Sequence, residues 1–124
     1  MLGKLRKAED FERVRREGVR WRGRYCALSA ARALAEADGT GEPQTRVGYV
    51  AARSLGRAVK RNRARRLLRE ATRHLSDLIV PGWDIVLIAQ PPIVAEPTRM
   101  QQVQEELLWL LNKARLIRTA PIAK

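Results

Sequence analysis

The 124-residue chain has one cysteine, one histidine and one phenylalanine. A lone Cys26 rules out an internal disulfide and any site built on several thiolates, and it suits a reducing, cytoplasmic setting. Cys26 reads as a small core group and His74 as a partly buried helical residue, which leaves no Cys–His or Ser–His–Asp constellation and no zinc-type ligand set. Aromatic residues are 5% of the chain, too few for stacking to be its main grip on a partner. No apolar run approaches the roughly 18 residues of a membrane span, and the start lacks the apolar core of a signal peptide. Gly39-Thr40-Gly41 has neither the lysine nor the following helix of a phosphate-binding loop. Acids are scattered, and Glu105-Glu106 reads as a solvated face. Neither catalytic side chains, a protein-held metal nor a small-molecule substrate is expected.

Cations are abundant. Lysine and arginine number 25 against 13 acids, a formal charge of +12. The excess lies in two blocks. Residues 1–24 hold nine basic and four acidic side chains, and residues 53–73 hold nine basic side chains and the single acid Glu70. So much like charge gives a compact domain nothing for its own stability, and it points to a polyanion. Arginine dominates the central block, with Lys60 its one lysine. Guanidinium forks grip phosphate bidentately and stack on bases, which favours nucleic acid over an acidic membrane or protein. RNA and DNA are not separated by these residues.

Hydrophobic residues at 45% suffice for a modest core, and the length fits one domain over residues 1–124. Residues 7–17 have helical spacing in Ala8, Phe11 and Val14, with Gly18 as a stop. Residues 24–33 suit a strand or a helix equally. Residues 45–52 alternate as a strand, with Val47, Tyr49 and Ala51 on one face and Gly48 and Val50 on the other. A loop at Glu36–Pro43 suggests that these two runs form an antiparallel hairpin. Residues 58–79 are the clearest helix: Leu67, Leu78, Ala71, Ala64, Leu75, Leu68 and Ile79 fall in one arc, and arginines fill most of the rest. Trp83–Ala89 is a nearly unbroken apolar run, which reads as a strand buried on both faces and hence central in its sheet. Thr98 and Gln101 form a capping box for a helix over 99–115. Residues 117–124 are expected to be a flexible tail. The fold class is α+β, a single-domain sandwich of one sheet and helices in the order α-β-β(-β)-α-β-α.

The sharpest motif runs from Gly56-Arg57-Ala58-Val59-Lys60 through Arg61-Asn62-Arg63 to Arg65-Arg66-Leu67-Leu68-Arg69-Glu70. With Val47-Gly48, Leu55-Gly56, Glu9-Asp10-Phe11 and Trp83-Asp84-Ile85-Val86, it closely resembles the protein subunit of bacterial ribonuclease P. The likeness covers nearly the whole chain. It implies an RNA-catalysed endonuclease that hydrolyses precursor tRNA to free its 5′ leader, with Mg2+ held mainly by the RNA. It implies that Arg57, Lys60, Arg61, Asn62 and Arg63 contact the catalytic ribonuclease P RNA, and that Phe11, Arg15, Arg53, Arg65, Arg66 and Arg69 face the leader. It also implies a left-handed crossover around the arginine-rich helix, against the usual right-handed rule. Arg15 and Thr72 stand where the family often has aromatics. Phe11 by its spacing fits core packing as well as a cleft wall. Two other readings are a basic ribosomal or RNA-chaperone protein and, disfavoured by the scattered acids, a self-sufficient nuclease.

Overall fold

The computed structural model describes residues 2–34, 43–95 and 98–118. The chain runs β1 (Gly3–Lys4), α1 (Ala8–Glu17), β2 (Val19–Arg22), β3 (Cys26–Arg32), β4 (Arg46–Val50), α2 (Ala58–Leu75), β5 (Trp83–Ala89) and α3 (Met100–Lys113). The five strands form one sheet in the order β1-β4-β5-β3-β2. The apolar run Trp83–Ala89 is the central strand, antiparallel to β3 and parallel to β4. Side chains alternate across its faces. Ile85, Leu87 and Ala89 join Leu68, Leu75, Val103, Leu107 and Leu111 in the main core under α2 and α3. Val86 and Ile88 face the other way and meet Val14 and Phe11 of α1.

The expected antiparallel hairpin of the 24–33 and 45–52 runs does not form, because β5 lies between β3 and β4. A strand apolar on both faces gains most by pairing on both edges, and the long connection between β3 and β4 leaves room for it. Apart from Pro43, the loop read over 36–43 lies outside the described residues. Residues 24–33 resolve as a strand from Cys26 to Arg32, buried up to Ala31. Its alanines lose their helical preference to burial between two strands and two helical layers. The tight turn at 23–25 pairs β3 with the edge strand β2.

The central helix stops at Leu75, and a 3-10 turn over Ser76–Leu78 takes the chain out of register. Leu78 therefore faces solvent while Ile79 remains buried. His74 is exposed rather than partly buried, with Nδ1 3.0 Å from Gln104 Oε1, because Ala71 and Leu75 set the buried direction of the helix. Helix α3 starts one residue later than the Thr98 box implies. The Gln102 carboxamide accepts the Arg99 N–H at 2.7 Å, and the Thr98 hydroxyl donates to Ala95 O and Pro92 O instead. The tail expected over 117–124 is corrected at its first two residues. Ile117 bridges Ile79, and Arg118 N–H donates to Leu78 O at 2.6 Å; residues 119–124 lie outside the described residues.

Helix α1 is held on its face of the sheet by charge. Asp84 of β5 is fully buried, and its two carboxylate oxygens accept from Arg46 Nε at 2.9 Å and Nη2 at 2.8 Å. Arg13 of α1 pairs with the same carboxylate and donates from Nη1 to Arg32 O at 3.0 Å. Asp10 adds a carboxylate 3.6 Å from Arg46. Nothing in the run Trp83-Asp84-Ile85 announces this role for an acid in a central strand.

Candidate nucleic-acid interface

Helix α2 separates its side chains as its periodicity requires. Ala64, Leu68, Ala71, Thr72 and Leu75 are buried, with Leu67 packed at the margin. Its first turn holds no acid, and Arg57 at its start makes no side-chain cap. Arg57, Lys60 and Asn62 are exposed there, so the positive end of the helix dipole is ringed by cations. That arrangement opposes folding of the isolated helix and suits an anion. Arg61 folds back to donate to Gly56 O at 3.0 Å, and Arg63 leans toward α3, with Nη2 3.4 Å from Thr98 O. Gly56 needs its lack of side chain: its φ is 127°, outside the range of other residues.

Two clefts meet at Phe11 of α1. The first, about 600 Å³, is walled by Phe11 and Arg15 of α1, Arg20 of β2, Tyr49 and Val50 of β4 and Arg65 of α2, and floored by Val86 and Ile88. The second, about 590 Å³, lies on the other side of Phe11, between the start of the chain and the later turns of α2, where Arg69 and Arg73 line it. Phe11 and Tyr49 belong to both. Phe11 is thus both core and wall: half-buried, packed on the Val14 and Val86 cluster, and bordering open space.

Of the residues expected to face the leader, Phe11, Arg15 and Arg65 come together in the first cleft and Arg69 lies in the second. Arg53 and Arg66 are exposed and line neither. Arg15 is joined to Glu12 at 3.0 Å, and Arg65 Nη2 donates to Asn62 Oδ1 at 2.6 Å. The Arg69 guanidinium stands 5.3 Å from the centroid of the Tyr49 ring, a cation–π stack. Burial raises the Tyr49 phenol above its ordinary range, opposed by its hydrogen bond with Thr72 and by the Arg69 charge. Arg20, Ser29 and Tyr49 were not expected at the site. The alternation Val19-Arg20-Trp21-Arg22 is the signal that points to Arg20, once this edge strand is recognised.

Glu106 does not lie on the solvated face that its neighbour Glu105 suggests: its carboxylate accepts the N–H groups of Arg24, Tyr25 and Cys26 at 2.6, 2.7 and 2.9 Å. It pins the β2–β3 turn and so fixes the strand that carries Arg20. Among the described residues, no three His, Cys, Asp or Glu side chains come together as a metal site, and no helix is long and apolar enough to cross a membrane.

A family model described as Ribonuclease P matches residues 2–115. The ribonuclease P protein component of Roseiflexus sp. (strain RS-1) is 44% identical over 110 residues, covering 84% of this chain and 82% of that one. That of Roseiflexus castenholzii is 39% identical over 117 residues, covering 94% and 89%. The solved ribonuclease P protein of Thermotoga maritima superposes with a TM-score of 0.74 at 29% identity, over 89% of this chain and 96% of its own. With its five-stranded sheet, its arginine-rich helix and these relatives, the chain belongs to the ribonuclease P protein family.

Proposed function

We propose that the protein is the RNA-binding accessory subunit of ribonuclease P, docking on the catalytic RNA and holding the single-stranded 5′ leader of precursor tRNA. The observation that carries this reading is α2 itself, a single helix whose leucines enter the core while its arginines edge a cleft. The start of the helix, with Arg57, Lys60, Arg61, Asn62 and Arg63, meets the catalytic RNA. Phe11, Arg15 and Arg65 in the first cleft hold the leader, with Arg69 beyond them. Arg53 and Arg66 meet leader phosphates that pass over the rim. Bringing one polyanion beside another requires a cationic surface between them to lower their repulsion, and guanidinium groups supply it. The Phe11 ring offers a face on which a base stacks.

Among the described residues, no three His, Cys, Asp or Glu side chains gather into a divalent-ion site, and the fully buried acid, Asp84, is already saturated by Arg13 and Arg46. Magnesium in this reading belongs to the RNA, and the protein contributes binding and positioning. Reconstitution tests the assignment. Added to a bacterial ribonuclease P RNA at low magnesium, the protein restores cleavage at the mature 5′ end. RNA binding without processing assigns it instead to the ribosomal or chaperone class, and cleavage without the RNA subunit makes it a nuclease.

A further inference from the structure

We infer that Asp84 is a positioning residue for the leader site: its carboxylate sets where α1 lies on the sheet, and so where Phe11 and Arg15 stand over the floor of the first cleft. This inference rests on the leader reading above. Packing does little to fix α1 sideways. Val14 is its one fully buried residue. At about 100° per residue, Phe11 and Arg15 fall on one side of Val14, and Asp10 and Arg13 on the other. Both sides border open space. Phe11 and Arg15 line the first cleft, and Asp10 and Arg13 line a further cleft of about 570 Å³. A helix seated chiefly on one side chain between two openings meets little packed resistance to rolling.

Charge supplies what packing does not. Asp84, Val86 and Ile88 alternate with the core residues of β5 and share the face under α1. Val86 and Ile88 floor the first cleft, and Asp84 holds the helix that walls it. Two lines run from its carboxylate to α1. One goes directly to Arg13; the other passes through Arg46 to Asp10, which lies one turn before Arg13. Attachment at two points a turn apart fixes the roll of the helix as well as its height. Buried ion pairs add little stability beyond what an apolar substitute would give, and their best-attested use is to set register. Without the negative charge, Arg13 and Arg46 repel each other, and the direction left open to α1 is the roll that carries Phe11 and Arg15.

The experiment compares Asp84→Asn with Val103→Ala, which opens a cavity in the main core on the other face of the sheet, under conditions where both are folded. In the reconstituted holoenzyme, the gain in affinity that a leader gives precursor tRNA over mature tRNA falls about tenfold in Asp84→Asn, the scale of one misplaced base stack. Affinity for the catalytic RNA and for mature tRNA is unchanged, and Val103→Ala keeps the whole gain. In the free protein, the ring current of Phe11 shifts the Gly48 Hα resonances, because the ring lies against that glycine. Those resonances move in Asp84→Asn and stay in Val103→Ala. A leader gain kept in Asp84→Asn, an equal loss in both variants, or unmoved Gly48 resonances overturns the positioning role and leaves the leader reading intact. A wild-type protein that gives no leader gain overturns the leader reading, and with it the role of Asp84 at that site.

Discussion

The Phe11 ring lies against the backbone of Gly48: a β-carbon placed on that glycine would stand 2.4 Å from Phe11 Cζ and 2.5 Å from Cε1. The absence of a side chain in β4 is what lets the aromatic partition settle on the sheet. Gly48→Ala must push the ring outward. The expected loss is about 1–3 kcal/mol of stability, the usual consequence of overpacking. Urea denaturation measures it, and a double-mutant cycle with Phe11→Ala shows the penalty relieved when the ring is absent.

How much of this was legible beforehand depended on how local the signal was. The division of α2 into leucines and arginines follows from periodicity alone, and so does the central position of Trp83–Ala89. The pairing partners of that strand are set by competition among edges distant in sequence, which is why β3 and β4 were expected to meet each other. β1 is too short to show a pattern, and the four-residue alternation of β2 gains meaning only once its place at the sheet edge is known. Asp84 and Glu106 carry their roles only in three dimensions: one is encircled by arginines from α1 and β4, the other reaches three N–H groups about 80 residues back in the chain. Of the site, the arginines were legible because their number defied a solvated face, whereas Arg20 and Tyr49 reach the cleft through strand register.

Asp84→Ala removes the buried anion shared by Arg13 and Arg46 and leaves both guanidinium groups only the more distant Asp10 carboxylate, 3.9 and 3.6 Å away, as a shared acid under α1. Breaking a buried pair from one side costs about 3–5 kcal/mol. The denaturation midpoint falls accordingly, and Asp84→Asn, which keeps the shape and an acceptor oxygen, falls less. A loss under about 1 kcal/mol in Asp84→Ala would mean that solvent replaces the carboxylate.

Arg65 lines the first cleft, and Arg16, exposed and paired with Glu17 at 3.6 Å, lies outside it. Both changes remove one positive charge from α1 or α2. Arg65→Ala lowers the slope of log affinity against log salt for precursor tRNA by about 0.7–1, the release of one counterion-neutralising contact. Arg16→Ala leaves that slope unchanged. Equal slopes in the two variants would reduce the contribution of Arg65 to general charge.

Cys26 is fully buried, and burial first, with the nearby Glu106 charge second, pushes its thiol well above the ordinary value of 9.0. A group whose folded value is raised contributes stability that is intact below its unfolded value and declines above it. Stability attributable to Cys26 is therefore flat to about pH 9 and falls at more alkaline pH, and Cys26→Ala removes that part of the decline. In the native protein, iodoacetamide labels the thiol only as fast as the fold opens, which mass spectrometry follows against a denaturant series.

The order of the sheet has a consequence for how the molecule is born. Val86 and Ile88 floor the first cleft, and they come from the strand that separates two neighbours made long before it. While a ribosome is still translating the arginine helix, the sheet lacks its middle, and of the seat of α1 only the β3 side, with Ala31 against Val14, has been made. A nascent chain therefore displays its cations before it owns a groove to aim them, and the groove is completed late, by the seven residues from Trp83 to Ala89.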